Sequence, residues 1–189
     1  MDITTSLYTG KLIRLTQIEY TRDPETLAEW SQEAGLMRML DEPPARPLAS
    51  EQIKKRLEKI EKDMDDKNDL FYFHIRPLDE ECLVGWGKIY WIVWPSQIAN
   101  IELAIGPSQE NQGYGSDAFR LLLRLAFDEL NLNRLTVRLP EYNLRGIDFV
   151  KKFGFREEVR RREVIFRDGR RWDSLHLGLL RAEWSVNHE

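Results

Sequence analysis

Cysteine is nearly absent from the chain: Cys82 is its single representative among 189 residues. An intrachain disulfide framework and a cysteine-based metal cluster are both excluded. Cys82 reads as packing in a strand, because a nucleophilic thiol wants a histidine and none lies near it in sequence. Long apolar runs are missing too. No stretch approaches the ~20 residues of a membrane span, and Met1–Gly10 lacks the basic-then-apolar order of a secretory signal. No membrane partner is expected, and the cytoplasm is the default address. Charge of one sign is scarce: 28 Lys and Arg against 32 Asp and Glu leave −4, with none of the basic bias of a nucleic-acid-binding domain. His74, His176 and His188 have no metal-ligand spacing, so no metal is expected and core, hairpin and tail roles are assigned to them. Internal repeats and low-complexity segments are also lacking.

What remains is an ordinary globular composition, 42% apolar and 32% charged, of a length that suits one domain. Lys11–Thr16 alternates as a first strand. Asp23-Pro24-Glu25 predicts a helix start, with Asp23 as N-cap and Pro24 at the first helical position; Leu27, Trp30 and Ala34 give that helix an apolar face. Asp41–Ala49 holds three prolines and predicts an ordered, non-helical loop. Ser50 is expected to cap a second helix, whose stripe Ile53, Leu57, Ile60 and Met64 faces the core. Leu70–Arg76, Cys82–Trp94 and Ile98–Gly106 then read as strands of an antiparallel meander. Ser116–Leu130 reads as a helix, Arg134–Leu139 as a strand paired in parallel across the crossover, and Asn143–Phe153 as a helix ended by Gly154. Phe155–Phe166 and Trp172–Leu180 close a hairpin about Asp168-Gly169. The fold class is α/β: a mixed, twisted sheet of about seven strands with helices on both faces.

The segment Ile101–Ser116 carries the chemistry. A strand runs into Gly106-Pro107, a polar loop follows, and Gly113-Tyr114-Gly115 leads into a helix. Glycines admit close backbone approach, and a helix N-terminus offers unpaired amides to an anion. A pair of glycines also suits a plain turn, and neither GxGxxG nor GxxxxGK[ST] is present.

In context, Glu110-Asn111-Gln112-Gly113-Tyr114-Gly115 resembles the acetyl-CoA loop [Q/R]-x-x-G-x-[G/A] of the GNAT acetyltransferase superfamily. Asn143–Phe155 resembles that family's N-x-R-A-x-x-x-Y-x-K-x-G-F segment, about 30 residues further on. The ending Phe166–Trp184 is similar to the branch of ribosomal-protein N-terminal and spermidine acetyltransferases. The resemblance runs from about Gly10 to Trp184, which implies one acetyltransferase domain over residues 1–189 with its core at about 10–184. It also implies acetyl-CoA as co-substrate, strands that splay apart near Ile105 and Leu139, and a pantetheine arm lying along Leu103, Ala104 and Ile105. The pyrophosphate would rest on the amides of Asn111, Gln112, Gly113, Tyr114, Gly115 and Ser116, with Asn143 reaching the arm. Asn143 equally suits a helix N-cap. Two departures stand out: Glu110 replaces Gln or Arg, and Val150 occupies the place of the tyrosine that protonates the leaving thiolate.

The expected function is transfer of acetyl by direct attack of a primary amine, either of a small molecule or of a protein N-terminus. An alkyl ammonium, with a pKa near ~10.4, needs a general base. Glu102, mid-strand and opposite in face to Ile101, Leu103 and Ile105, is the candidate; an ion-paired strand residue is its plainer reading. Backbone amides of the same strand suit the developing oxyanion. A thiolate of pKa ~8.5 leaves with little help; Tyr142 and Tyr114 are the nearby substitute acids, with packing as the plainer reading of each. Trp86, Trp91 and Trp94 either line the acceptor site or fill the core. A degenerate acyl-CoA-binding regulatory module and an interaction domain are the alternatives, and a homodimer is an open option for assembly.

Overall fold

The computed structural model describes residues 6–40 and 46–186. Its strands are β1 (Ile13–Thr16), β2 (Leu70–Pro77), β3 (Gly85–Val93), β4 (Ile98–Ile105), β5 (Arg134–Pro140), β6 (Arg156–Arg167) and β7 (Arg170–Leu180). Its helices are α1 (Asp23–Ser31), α2 (Ala34–Met39), α3 (Ser50–Lys67), α4 (Tyr114–Arg124), α5 (Leu144–Lys152) and α6 (Arg181–Val186). All seven strands form one sheet in the order β1-β2-β3-β4-β5-β7-β6. The expected meander is present: β1 to β4 pair antiparallel with their chain neighbours. β4 and β5 pair in parallel, as the helix–strand alternation predicts.

The two sheet faces are sorted by strand periodicity. On β3, Ile89 is fully buried on one side, and a Cβ added to Gly87 would meet Leu122 Cδ1 at 2.6 Å, so α4 lies tight against this face. Ala118, Leu121, Leu122, Leu125 and Ala126 fill the larger core from α4 and the single π-type turn that follows it, as their spacing predicts. Trp86, Lys88 and Tyr90 point to the other side. There Tyr72 and Trp86 meet Ile53, Leu57, Ile60 and Met64 of α3, the stripe read from sequence. The β6–β7 hairpin turns on Asp168 and Gly169, both at positive φ (50° and 73°), as Asp-Gly predicts.

Several local expectations fail. Asp23 is the first helical residue, not the cap; Arg22 precedes it and makes no side-chain cap. The Asp23 carboxylate is instead buried, 2.5 Å from His74 Nδ1 and 2.7 Å from Arg76 Nη2. Ser50 is likewise inside its helix. Ala49 takes the cap position, and the Gln52 side chain accepts its N–H at 3.1 Å. Ala34 is exposed and begins the separate helix α2. Cys82 is exposed and precedes β3, because Leu83 and Val84 take the buried positions of that connection. Partial burial and the Glu80 carboxylate, 3.1 Å from Sγ, push its thiol up, away from thiolate chemistry. Of the proline loop, 46–49 is non-helical; Pro43, Pro44 and His188 lie outside the described residues.

Candidate active site

The register of β4 and β5 opens a cleft. The two strands pair at Ile98↔Arg134, Ala99↔Leu135 and Asn100↔Thr136 only. Beyond Asn100 each continues for several residues without the other, β4 to Ile105 and β5 to Pro140. The direction of the β4 backbone follows from two bonds. Gly106 N–H donates to Val84 O on the β3 side (2.9 Å), whereas Gln97 O accepts from Asn133 N–H on the β5 side (2.7 Å). Even-numbered residues of β4 therefore address β3. Odd-numbered ones, Leu103 and Ile105 included, turn their N–H and C=O toward the cleft. This is an edge to which an extended amide chain can add as a strand does.

At the end of that edge the loop coils into α4. Asn111 (φ 63°) and Gly113 (φ 87°) adopt left-handed conformations, and Gly113 is the N-cap of α4. The first intrahelical bond here runs from Asp117 N–H to Gly113 O (3.1 Å). The amides of Tyr114, Gly115 and Ser116 thus precede the helical bonding pattern and lie at the mouth of α4. A Cβ on Gly115 would find only ordinary contact, 3.4 Å to Ile105 Cγ1. The helix mouth and the open strand edge are of a kind that fits a CoA-type ligand. Glu110 is turned to Arg145, whose guanidinium also donates to Asn111 Oδ1 at 3.1 Å. This pairing leaves no local sign in the sequence, since Arg145 lies on another helix.

Asn143 serves as N-cap of α5: its Oδ1 accepts Gly146 N–H at 2.8 Å. Its Nδ2 donates to Met39 O at 3.0 Å, and the Tyr142 hydroxyl donates to Arg38 O at 2.8 Å. Both side chains thus hold α2 against the β5–α5 loop, a role that sequence reasoning missed. The Tyr142 ring packs edge-on against Trp172. Val150 is buried in the main core among Ile147 and Phe155. Tyr114 packs its ring against the same core.

Glu102 points to the face opposite Ile101, alongside Ala104. Across the β3–β4 pair it meets Lys88, with Nζ 3.1 Å from Oε1; the Tyr90 hydroxyl lies 3.5 Å from Oε2. Lys88 Nζ also sits over the rings of Trp86 (5.2 Å) and Tyr90 (4.7 Å). This face floors a cavity of about 910 Å³ beneath α1, α2 and α3, lined by Trp30, Tyr72, Trp86, Tyr90 and Trp91 among others. Trp86 and Trp91 thus line this cavity. Trp94 caps the end of α3 instead, its indole N–H donating to Asn68 O at 2.9 Å. His74 is buried with Asp23, and His176 lies on β7 opposite Arg138.

Residues 13–156 match the acetyltransferase (GNAT) domain family. The uncharacterized N-acetyltransferase YnaD of Bacillus subtilis is 24% identical over 177 residues, covering 94% of this chain and 98% of that protein. The fold is similar to that of spermidine N-acetyltransferase from Vibrio cholerae in complex with CoA and spermine. That structure has a TM-score of 0.78 at 19% identity, over 92% of this chain and 98% of the other. A GNAT-family acetyltransferase from Bacillus anthracis gives a TM-score of 0.76 at 20% identity, over 93% and 98%. The splayed strands, the amide-lined helix mouth and the family match over most of the chain lead to one conclusion: the chain belongs to the GNAT acetyltransferase family and is an acyl-CoA-dependent N-acetyltransferase.

Proposed function

We propose that the protein transfers the acetyl group of acetyl-CoA to the primary amine of a small molecule by direct attack. The observation that carries this reading is the β4 edge, where the backbone of Leu103 and Ile105 faces a cleft that ends at the α4 amides. Bound acetyl-CoA supplies an activated thioester. The chain's own groups do the rest. The amides of residues 111–116 hold negative charge at the helix mouth. Leu103 and Ile105 align the arm along the strand, while Ala104, between them, turns its backbone to β3. Asn143 and Tyr142 hold α2 over the neighbouring loop and so help wall the acceptor cavity.

Glu102 is the base in this reading. Lys88 fixes its Oε1, and Oε2 takes the proton of the incoming ammonium, directly or through one water. The neutral amine then attacks with its partner held in place by the strand. With Val150 buried, no side chain at that position can return a proton to sulfur; a thiolate of pKa ~8.5 leaves without one. The decisive experiment measures CoA release from acetyl-CoA over a panel of amines, with CoA affinity measured in parallel by calorimetry. Acetylated amine at a rate above the hydrolysis background supports the reading. Tight CoA binding without turnover of any amine overturns it in favour of a regulatory module. Turnover confined to peptide N-termini overturns the small-molecule assignment alone.

A further inference from the structure

The acceptor cavity carries its own chemical signature. Its walls are mostly apolar: Trp30, Leu36, Leu57 and Ile60 come from the helices, Tyr72 and Trp86 from the sheet. At about 910 Å³ it has room for an aromatic body. Its described charged lining comprises five cationic side chains and two carboxylates. Lys67 is committed to Asp63 at 2.8 Å and Lys88 to Glu102 at 3.1 Å. Arg56 and Lys59 form an exposed cationic edge of α3 along the cavity, and neither has an ion pair among the described residues.

Resting on the acetyl-transfer reading, we infer that the acceptor is a primary amine with an aromatic-sized apolar body and an anionic group at its far end, and not a polyamine. Two physical arguments converge. A polyamine brings extra ammonium groups into a lining whose described cations outnumber its carboxylates five to two, and Asp63, one of those two, is already paired with Lys67; an ammonium left on the apolar walls is strongly unfavourable. A cation cage on this face, built by Trp86, Tyr90 and Glu102, already holds Lys88 Nζ. An acceptor with a single amine to place at Glu102, which pairs with the cavity-lining Lys88, and a carboxylate to place at Arg56 and Lys59 meets complementary groups at both ends.

The test compares kcat/KM for 4-(2-aminoethyl)benzoate, its neutral analogue 4-(2-aminoethyl)benzamide, and spermidine, with acetyl-CoA saturating. The benzoate is expected to exceed each of the others by about tenfold, the combined effect of two solvent-edge ion pairs. The double variant Arg56→Ala/Lys59→Ala, at exposed positions where folding is not at stake, should erase the advantage of the benzoate over the benzamide through KM, with kcat retained. Equal values for benzoate and benzamide, or a preference for spermidine, overturn this inference and leave acetyl transfer standing. Absence of turnover with all three and with every other amine overturns the acetyl-transfer reading and this inference with it.

Discussion

Arg145 on α5 ion-pairs with Glu110 in the loop before α4, so the carboxylate of the loop proposed to hold the pyrophosphate is neutralised from a neighbouring helix. The pair is solvent-edged, with side chains 62% and 38% exposed, and its worth to folding is small. Its worth to an anionic ligand is larger, because an unpaired carboxylate beside the α4 mouth repels a pyrophosphate.

Arg145→Ala is therefore expected to raise the Kd for CoA about three- to tenfold, in line with one lost surface charge interaction. Adding Glu110→Gln should restore most of the affinity. Calorimetric titration of both variants decides the matter; an unchanged Kd in Arg145→Ala removes the assigned role.

Gly113 sits at φ 87°, where a side chain is strained, and a Cβ there would come within 3.0 Å of Leu12 Cδ1. Gly113→Trp is expected to abolish CoA binding in a chain that still folds by circular dichroism. Gly115→Ala meets only ordinary contacts, and its Kd should stay within about threefold. A folded Gly113→Trp protein with the parent's affinity would refute the placement of the pyrophosphate.

Glu102→Gln should lower kcat by about 10²–10⁴, the usual contribution of a positioned general base, and should flatten the basic-amine pH profile. Val150→Ala should leave kcat nearly unchanged, because Val150 is core. Its cost appears in stability, about 1–2 kcal/mol for two buried methyl groups. Tyr142→Phe releases the bond to Arg38 O and tests whether that hydroxyl serves turnover. Parity of Glu102→Gln with the parent in rate and pH profile would place the base elsewhere.

Asp23 ties acid stability to a buried cluster. Burial alone pushes its carboxyl up, but hydrogen bonds from His74 and Arg76 outweigh that and hold it below its ordinary value. A depressed folded pKa contributes stability above the unfolded value of ~3.9, and this is lost as pH falls through the folded value. Urea unfolding should therefore show this contribution intact near neutrality and declining below about pH 4. Asp23→Asn leaves Arg76 buried with less charge compensation and should cost about 3–5 kcal/mol at pH 7, while flattening the acid limb. A mutant with the parent's acid limb would assign that limb to other carboxylates.

The sequence by itself determined the strand and helix order, the meander, the Asp-Gly hairpin and the place of the glycine-bearing loop before α4. Each of these is written locally: period-2 and period-3.6 patterns, turn dipeptides, and glycines before an apolar helical stripe. It also carried Glu102, since a carboxylate between Ile101 and Leu103 is visible without a structure. The tertiary structure alone decided what those side chains meet. Asp23 looked like a cap because Asp-Pro-Glu is a strong start signal, yet a buried His74 and Arg76 from β2 claim its carboxylate. Lys88 reaches Glu102 only because the register of β3 on β4 sets them opposite, and Arg145 reaches Glu110 only because α5 packs beside the loop. Asn143 and Tyr142 hold α2 through backbone carbonyls about 100 residues away in sequence. Pairings at that separation leave no local trace, because side-chain contacts follow strand register and helix packing, whereas sequence periodicity records only which face a residue occupies.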